Sequence, residues 1–193
     1  MIEVNTTNGI TVAAPESLSE NYITYLLKKD PSYDTSNITY AEFAALFYQG
    51  AVEYEPTIGS NNPDLSEFHK SGGKLLSWHG LADNLVPSNS TLKYRQSVEA
   101  LLGGTDAVDD FYRLFFAPGV NHCGAGYGPV PVNGLKQLVA WVEKGVEPDT
   151  LEAQFVDVEG DVVNHDICKY PLVSKYIGGN PKVAGSYVCA DSF

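Results

Sequence analysis

"KLLSWHGLADNLVPSNSTLKYRQSVEALLGGTDAVDDFYRLFFA", residues 74–117, decides the fold class. It opens on a short apolar strand, "KLLSW", that ends at His79-Gly80, and "ADNLVP" follows as a loop. Ser90 or Thr91 can then cap a helix that runs to Leu102. Tyr94, Val98, Leu101 and Leu102 fall at i, i+4, i+7 and i+8 of that helix, one apolar face. Gly103-Gly104 stops it, and "FYRLFFA" (111–117) is the next strand. Beyond it, "VNGLKQLVAWVEKG" (132–145) reads as an amphipathic helix with Val132, Leu135, Leu138, Val139 and Val142 on its apolar side and Gly145 at its end. The order strand, helix, strand, helix argues for βαβ units, an α/β fold with a parallel sheet flanked by helices. Two strands make no stable open sheet, so this segment reads as part of a larger one.

Upstream, residues 1 to about 70 read as helices and loops. "SLSE" (17–20) and "TYAE" (39–42) are capping-box patterns, in which a hydroxyl accepts from an early helix N–H and a Glu reaches back. Helices of about 11 and 10 residues can follow them, the first ending near Asp30-Pro31, where proline disfavours a helical residue before it.

The chain has 193 residues, 24 acidic against 12 basic, for a net charge of −12. Such a surface repels phosphate backbones and anionic lipid, which argues against nucleic-acid and membrane partners. No stretch is long and apolar enough to span a membrane, and "MIEVNTTNG" has neither the basic nor the apolar segment of a signal peptide. Of the three cysteines, Cys168 and Cys189 flank a Gly- and Pro-rich segment that a disulfide would tie down; two free buried thiols is the alternative. The sequons at Asn5, Asn37 and Asn89 lean towards glycosylation on the secretory path, and with the cysteines they favour an oxidising compartment. Cys123 is left without a partner in this chain.

In open α/β sheets, sites form at the carboxyl ends of the strands. Asp83 follows the first strand and His122 the second, 39 positions apart, the length of one crossover. An Asp bonded to a His fixes the imidazole tautomer and readies the ring as a general base towards a hydroxyl. The plain alternative is a turn-capping Asp and an ordinary loop His. Acid before histidine is the chain order of α/β-hydrolases, whose nucleophilic serine comes earlier. No G-x-S-x-G occurs, Ser77 lies inside a strand, and Ser66, Ser71 and Ser97 lack the strand-to-helix elbow. His79, Asp83, His122 and Cys123 all carry metal-ligand atoms. The zinc reading is the weaker one, because no C-x-x-C occurs, His79 and Asp83 are not on a helix face, and adjacent His-Cys seldom converges on one ion.

"GGKLLSWHGLADNLVP", "FYRLFFAPGVNHCGAGYGP" and "LVAWVEKGVEPDTL", with "NPDLSEFHKSGGKL" leading in, resemble the fungal tannase and feruloyl esterase family of secreted α/β-hydrolases. The resemblance runs over residues 63–152 and on to the last cysteine pair. It implies the C-terminal part of an α/β-hydrolase fold, preceded by a mostly helical lid remnant. The division it implies is 1–62 as the end of the lid, 63–152 as part of the catalytic domain and 153–193 as a tail with a Cys168–Cys189 disulfide. Asp83 matches the family's acid and His122 its base. Cys123 matches the cysteine bonded to the one that precedes the serine. The implied substrate is a phenolic ester, galloyl or feruloyl. No cofactor is implied within this chain, and the implied partner is the N-terminal half of the enzyme, with Cys123 as a possible disulfide link. A hydrolase remnant acting as a binding module is the alternative.

Overall fold

The computed structural model describes residues 2–7, 10–15 and 17–191. The chain divides into two compact units, 1–62 and 63–193.

The first unit opens with an antiparallel hairpin of β1 (Ile2–Thr7) and β2 (Ile10–Pro15), with Val4 opposite Ala13. The expectation of helices and loops alone omits this hairpin. A short α1 (Ser17–Asn21) continues into a π-helical stretch, Tyr22–Leu27, ending short of Pro31. Ser17 is the first residue of α1, so its N-cap would be Glu16, outside the described residues. α2 (Tyr40–Ile58) is longer than expected and runs past Pro56. Its capping box is complete: Thr39 Oγ1 accepts from the Glu42 N–H, and the Glu42 carboxylate accepts from the Thr39 N–H at 2.9 Å. Ile23, Leu27 and Leu46 form this unit's buried cluster.

In the second unit a turn of helix, α3 (Ser66–Lys70), precedes β3 (Leu75–Gly80). Then come α4 (Ser88–Leu102), α5 (Thr105–Asp109) and β4 (Tyr112–Ala117). β3 and β4 pair in parallel, from Leu75 against Tyr112 to Gly80 against Ala117. β4 is buried on both faces, as fits a strand covered on each side. Tyr112 and Leu114 meet Val98 of α4 and Val108 of α5, whereas Phe115 and Ala117 meet Val120, Leu151, Ala153 and Ile167.

Further along lie β5 (Val130–Pro131), α6 (Gly134–Lys144), β6 (Thr150–Leu151), β7 (Ala153–Val156), β8 (Val162–Asn164) and β9 (Ile167–Cys168). The chain closes with β10 (Val173–Tyr176) paired to β11 (Tyr187–Ala190). Short antiparallel pairs β5–β7 and β6–β9 weave residues after 152 into those before it, β7 also pairs with β8, and Tyr170 N–H donates to the Leu114 carbonyl. Residues 153–193 share one compact unit with 63–152. Cys168 and Cys189 are joined by a disulfide.

α4 and α6 end on left-handed Gly103 and Gly145, as the sequence suggests. α4, however, starts directly after Pro87, so Ser90 and Thr91 lie inside it and cap nothing. The α6 stripe is also turned: Trp141 is its buried residue, and Val132, Leu135, Val139 and Val142 are exposed. Asn37 and Asn89 are exposed, the latter in the first turn of α4; Asn5 lies in β1.

The lower end of the strand pair is held by charge. Arg95 is fully buried, donating to Glu99, Asp109 and the Tyr112 carbonyl. Arg113 reaches Asp149 and Glu147 with its guanidinium over the Trp141 ring. Burying a cation is tolerable only with such partners. Arg95→Met keeps the bulk but leaves Glu99 without this cation, while Asp109 keeps Lys169 at 2.8 Å; chemical denaturation should show a loss of about 3 kcal/mol. An unchanged midpoint would show that the network adds nothing to stability.

Candidate active site

The site grows out of the register of β3 and β4. Gly80 and Ala117 end the two strands side by side, so their following loops leave the sheet together. Backbone bonds then stitch the loops: Leu81 N–H donates to the Ala117 carbonyl (2.9 Å) and Ala82 N–H to the Val120 carbonyl (3.0 Å). Gly80 makes this approach possible, because a Cβ there would overlap the Val120 carbonyl.

Asp83 sits at the turn of the first loop, its side chain 7% exposed. Its Oδ1 accepts from the Leu85 and Val86 N–H groups, both at 2.9 Å. Its Oδ2 is 3.0 Å from His122 Nδ1 and 3.3 Å from His79 Nε2. Burial alone would push this carboxyl up. The Val86 N–H, the His122 ring and the Leu85 N–H outweigh it and hold the group at about 2.

The second loop folds back on itself through a Val120–Gly126 bridge and a bond from Asn121 N–H to the Ala125 carbonyl. His122 opens a single 3₁₀ turn, His122–Gly124, that aims its ring at Asp83. The side chain is 41% exposed. With Nδ1 turned to the carboxylate, Nε2 is the nitrogen left to meet a reacting hydroxyl. Cys123 next to it has a left-handed backbone (φ 56°) and an exposed thiol.

The structure thus brings Asp83 and His122 together. His79, weighed above as a metal ligand, instead has both ring nitrogens in hydrogen bonds, with Thr91 Oγ1 at 2.7 Å and the Val86 carbonyl at 3.0 Å. The sequence reading missed its contact with Asp83. The available signal was a histidine next to the end of the strand, four positions before the acid. A mostly apolar cavity of about 270 Å³, bounded by Leu81, Phe116, Pro118, His165 and Tyr170, lies in the same unit, with neither Asp83 nor His122 in its wall.

A profile described as "Tannase and feruloyl esterase" matches residues 2–190. The chain belongs to the tannase and feruloyl esterase family. It is 47% identical over 190 residues to a probable feruloyl esterase of Arthroderma benhamiae, covering 96% of this chain and 35% of that protein. It is 33% identical over 164 residues to a tannase of Aspergillus oryzae, covering 78% of this chain and 28% of that one. The tannin acyl hydrolase of Aspergillus niger superposes with a TM-score of 0.84 at 29% identity, over 98% of this chain and 36% of that chain. Feruloyl esterase B of A. oryzae gives 0.76 at 28% identity, over 92% and 38%. The chain thus spans about a third of the length of these esterases of the tannase and feruloyl esterase family. Among the described residues no helix is long and apolar enough to cross a membrane.

Two outcomes test this geometry. Gly80→Ala should force the loops apart and lower stability by about 1–3 kcal/mol, the usual range for overpacking. A melting curve equal to the parent's would show that the backbone gives way freely. Because the Asp83 carboxyl titrates lower in the folded chain than its ordinary 3.8, its ionised form stabilises the fold above that value, and the contribution is lost as pH falls towards about 2. The stability gap between the parent and Asp83→Asn, read by urea midpoints, should therefore be constant at neutral pH and close between about pH 4 and 2.

Proposed function

We propose that these residues form the C-terminal part of a secreted α/β-hydrolase that cleaves phenolic esters, galloyl or feruloyl in type, and that Asp83 and His122 are its acid and base. The observation that carries this reading is the 3.0 Å contact between His122 Nδ1 and Asp83 Oδ2 at the ends of paired parallel strands, with the ring open on its other side. Family membership supports the ester chemistry.

The nucleophilic serine comes from a part of the enzyme outside these 193 residues. His122 Nε2 takes the proton from its hydroxyl as the oxygen attacks the ester carbonyl. The imidazolium, stabilised by the ionised Asp83, then gives that proton to the departing alcohol, leaving an acyl-enzyme. Water repeats the sequence in the second half, His122 again acting as base, and releases the aromatic acid. Asp83 stays ionised throughout, consistent with its low titration. In the same reading, Cys123 bonds to a cysteine beside the serine and so joins the nucleophile and base loops. Residues 1–62 end a lid over the aromatic acid, and Asn5, Asn37 and Asn89 carry glycans.

In the intact enzyme His122→Ala should lower kcat on methyl ferulate or methyl gallate by about 10⁴-fold or more. Near-normal turnover would remove His122 from the mechanism. Residues 1–193 alone should show no turnover of either ester, and activity lost on Asp83→Ala in that fragment would disprove the external serine.

A further inference from the structure

Asp83 Oδ2 faces two imidazoles, and only one is used by the mechanism above. The second, His79, is 13% exposed and sits on β3, the rigid element beneath the acid's loop. Its surroundings fix where its proton lies. Nε2 is 3.0 Å from the Val86 carbonyl and 3.3 Å from Asp83 Oδ2, and both oxygens only accept. Nε2 must therefore carry hydrogen. Nδ1 lies 2.7 Å from Thr91 Oγ1, whose hydroxyl can donate to it. A ring protonated on Nδ1 alone would set its Nε2 lone pair against two oxygens.

We propose that His79 is a positioning residue for the acid, its Nε2–H shared between Asp83 Oδ2 and the Val86 carbonyl, with Thr91 holding the ring in that tautomer. The proposal rests on the Asp83–His122 reading above. It gives the carboxylate a fixed donor for each oxygen: the two amides on Oδ1 and a strand-borne ring on Oδ2. Oδ2 thus keeps its place while His122 gains and loses its proton. His79 also pins the Asp83 loop to α4, since its partners come from the loop (Val86) and the helix (Thr91). This explains Thr91 facing inward from a helix that it does not cap.

The test compares His79→Gln, His79→Leu and Thr91→Val in the intact enzyme. Glutamine can present an N–H near the Nε2 position; leucine cannot. The first readout needs no turnover: the low-field proton resonance of His122 Nδ1–H bonded to Asp83. It should shift or broaden in His79→Leu and return in His79→Gln. The second is hydrolysis of methyl ferulate, where His79→Leu should lower kcat by about 10- to 100-fold, the cost of a misplaced catalytic group, with KM little changed. Thr91→Val should act in the same direction, more weakly, and His79→Gln should recover most of the rate. An unmoved resonance and parental kcat in His79→Leu would overturn the inference alone. So would equal losses in the glutamine and leucine variants, the mark of a packing role. If the parent itself lacks the resonance, the Asp83–His122 pairing falls and this inference with it.

Discussion

Parallel pairing of Leu75–Gly80 with Tyr112–Ala117 is the constraint from which the site follows. Side chains 39 positions apart do not find each other through their own attraction. They meet because the sheet ends both strands at one level and sends both loops over the same edge. The bonds from Leu81 and Ala82 to the opposite strand and loop extend the pairing past the sheet. The final contact between carboxylate and ring is thus made between elements already in place. That is the preorganisation the proposed role of His122 needs, since little conformational entropy remains to be lost when the ring acts.

Much of this was legible in the sequence because the informative residues are local. The strand–helix–strand order could be read from apolar runs punctuated by glycine, and the helix stops at Gly103 and Gly145 from the residue type alone. Asp83 and His122 stood out because each follows a strand. The direction of α6 was not legible. Its Val and Leu stripe gives the stronger periodic signal, yet the unit buries Trp141, whose ring receives Arg113, a contact set by residues distant in sequence. Serine and threonine suggest caps for α4, but Thr91 lies within the helix with its hydroxyl 2.7 Å from His79 Nδ1. The hairpin β1–β2 has its own signal in the sequence, Asn8-Gly9 between two β-prone runs, which the capping-box patterns downstream overshadow. Strands of two residues, such as β5, β6 and β9, are too short to show any period.

The acidic composition takes on a more specific meaning beside the structure. Lys29, Lys70, Arg95, Arg113, Lys169 and Lys182 all lie in ion pairs. Arg95 and Arg113 bind carboxylates at the base of the sheet, and Lys182 gathers Asp157, Glu159 and Asp161 around the β7–β8 turn. Half of the 12 basic residues thus lie in ion pairs; those of Arg95 and Arg113 are buried, whereas Lys29 and Lys70 pair at the surface. Most of the surplus of negative charge lies outside these contacts, where it favours solubility and selects against anionic surfaces.

Gly80 has its counterpart in the loop that carries His122: a side chain at Gly128 would run into the Pro118 carbonyl. Such positions make the path of the loop non-negotiable. Point substitution cannot bend it gradually towards a different course, because each intermediate must first break the packing that holds His122. Freedom to change without that cost lies with outward-facing side chains of the same loop, such as Tyr127, which is 86% exposed. The placement of His122 is set by the backbone as a whole, and only the side chains around it are free to change.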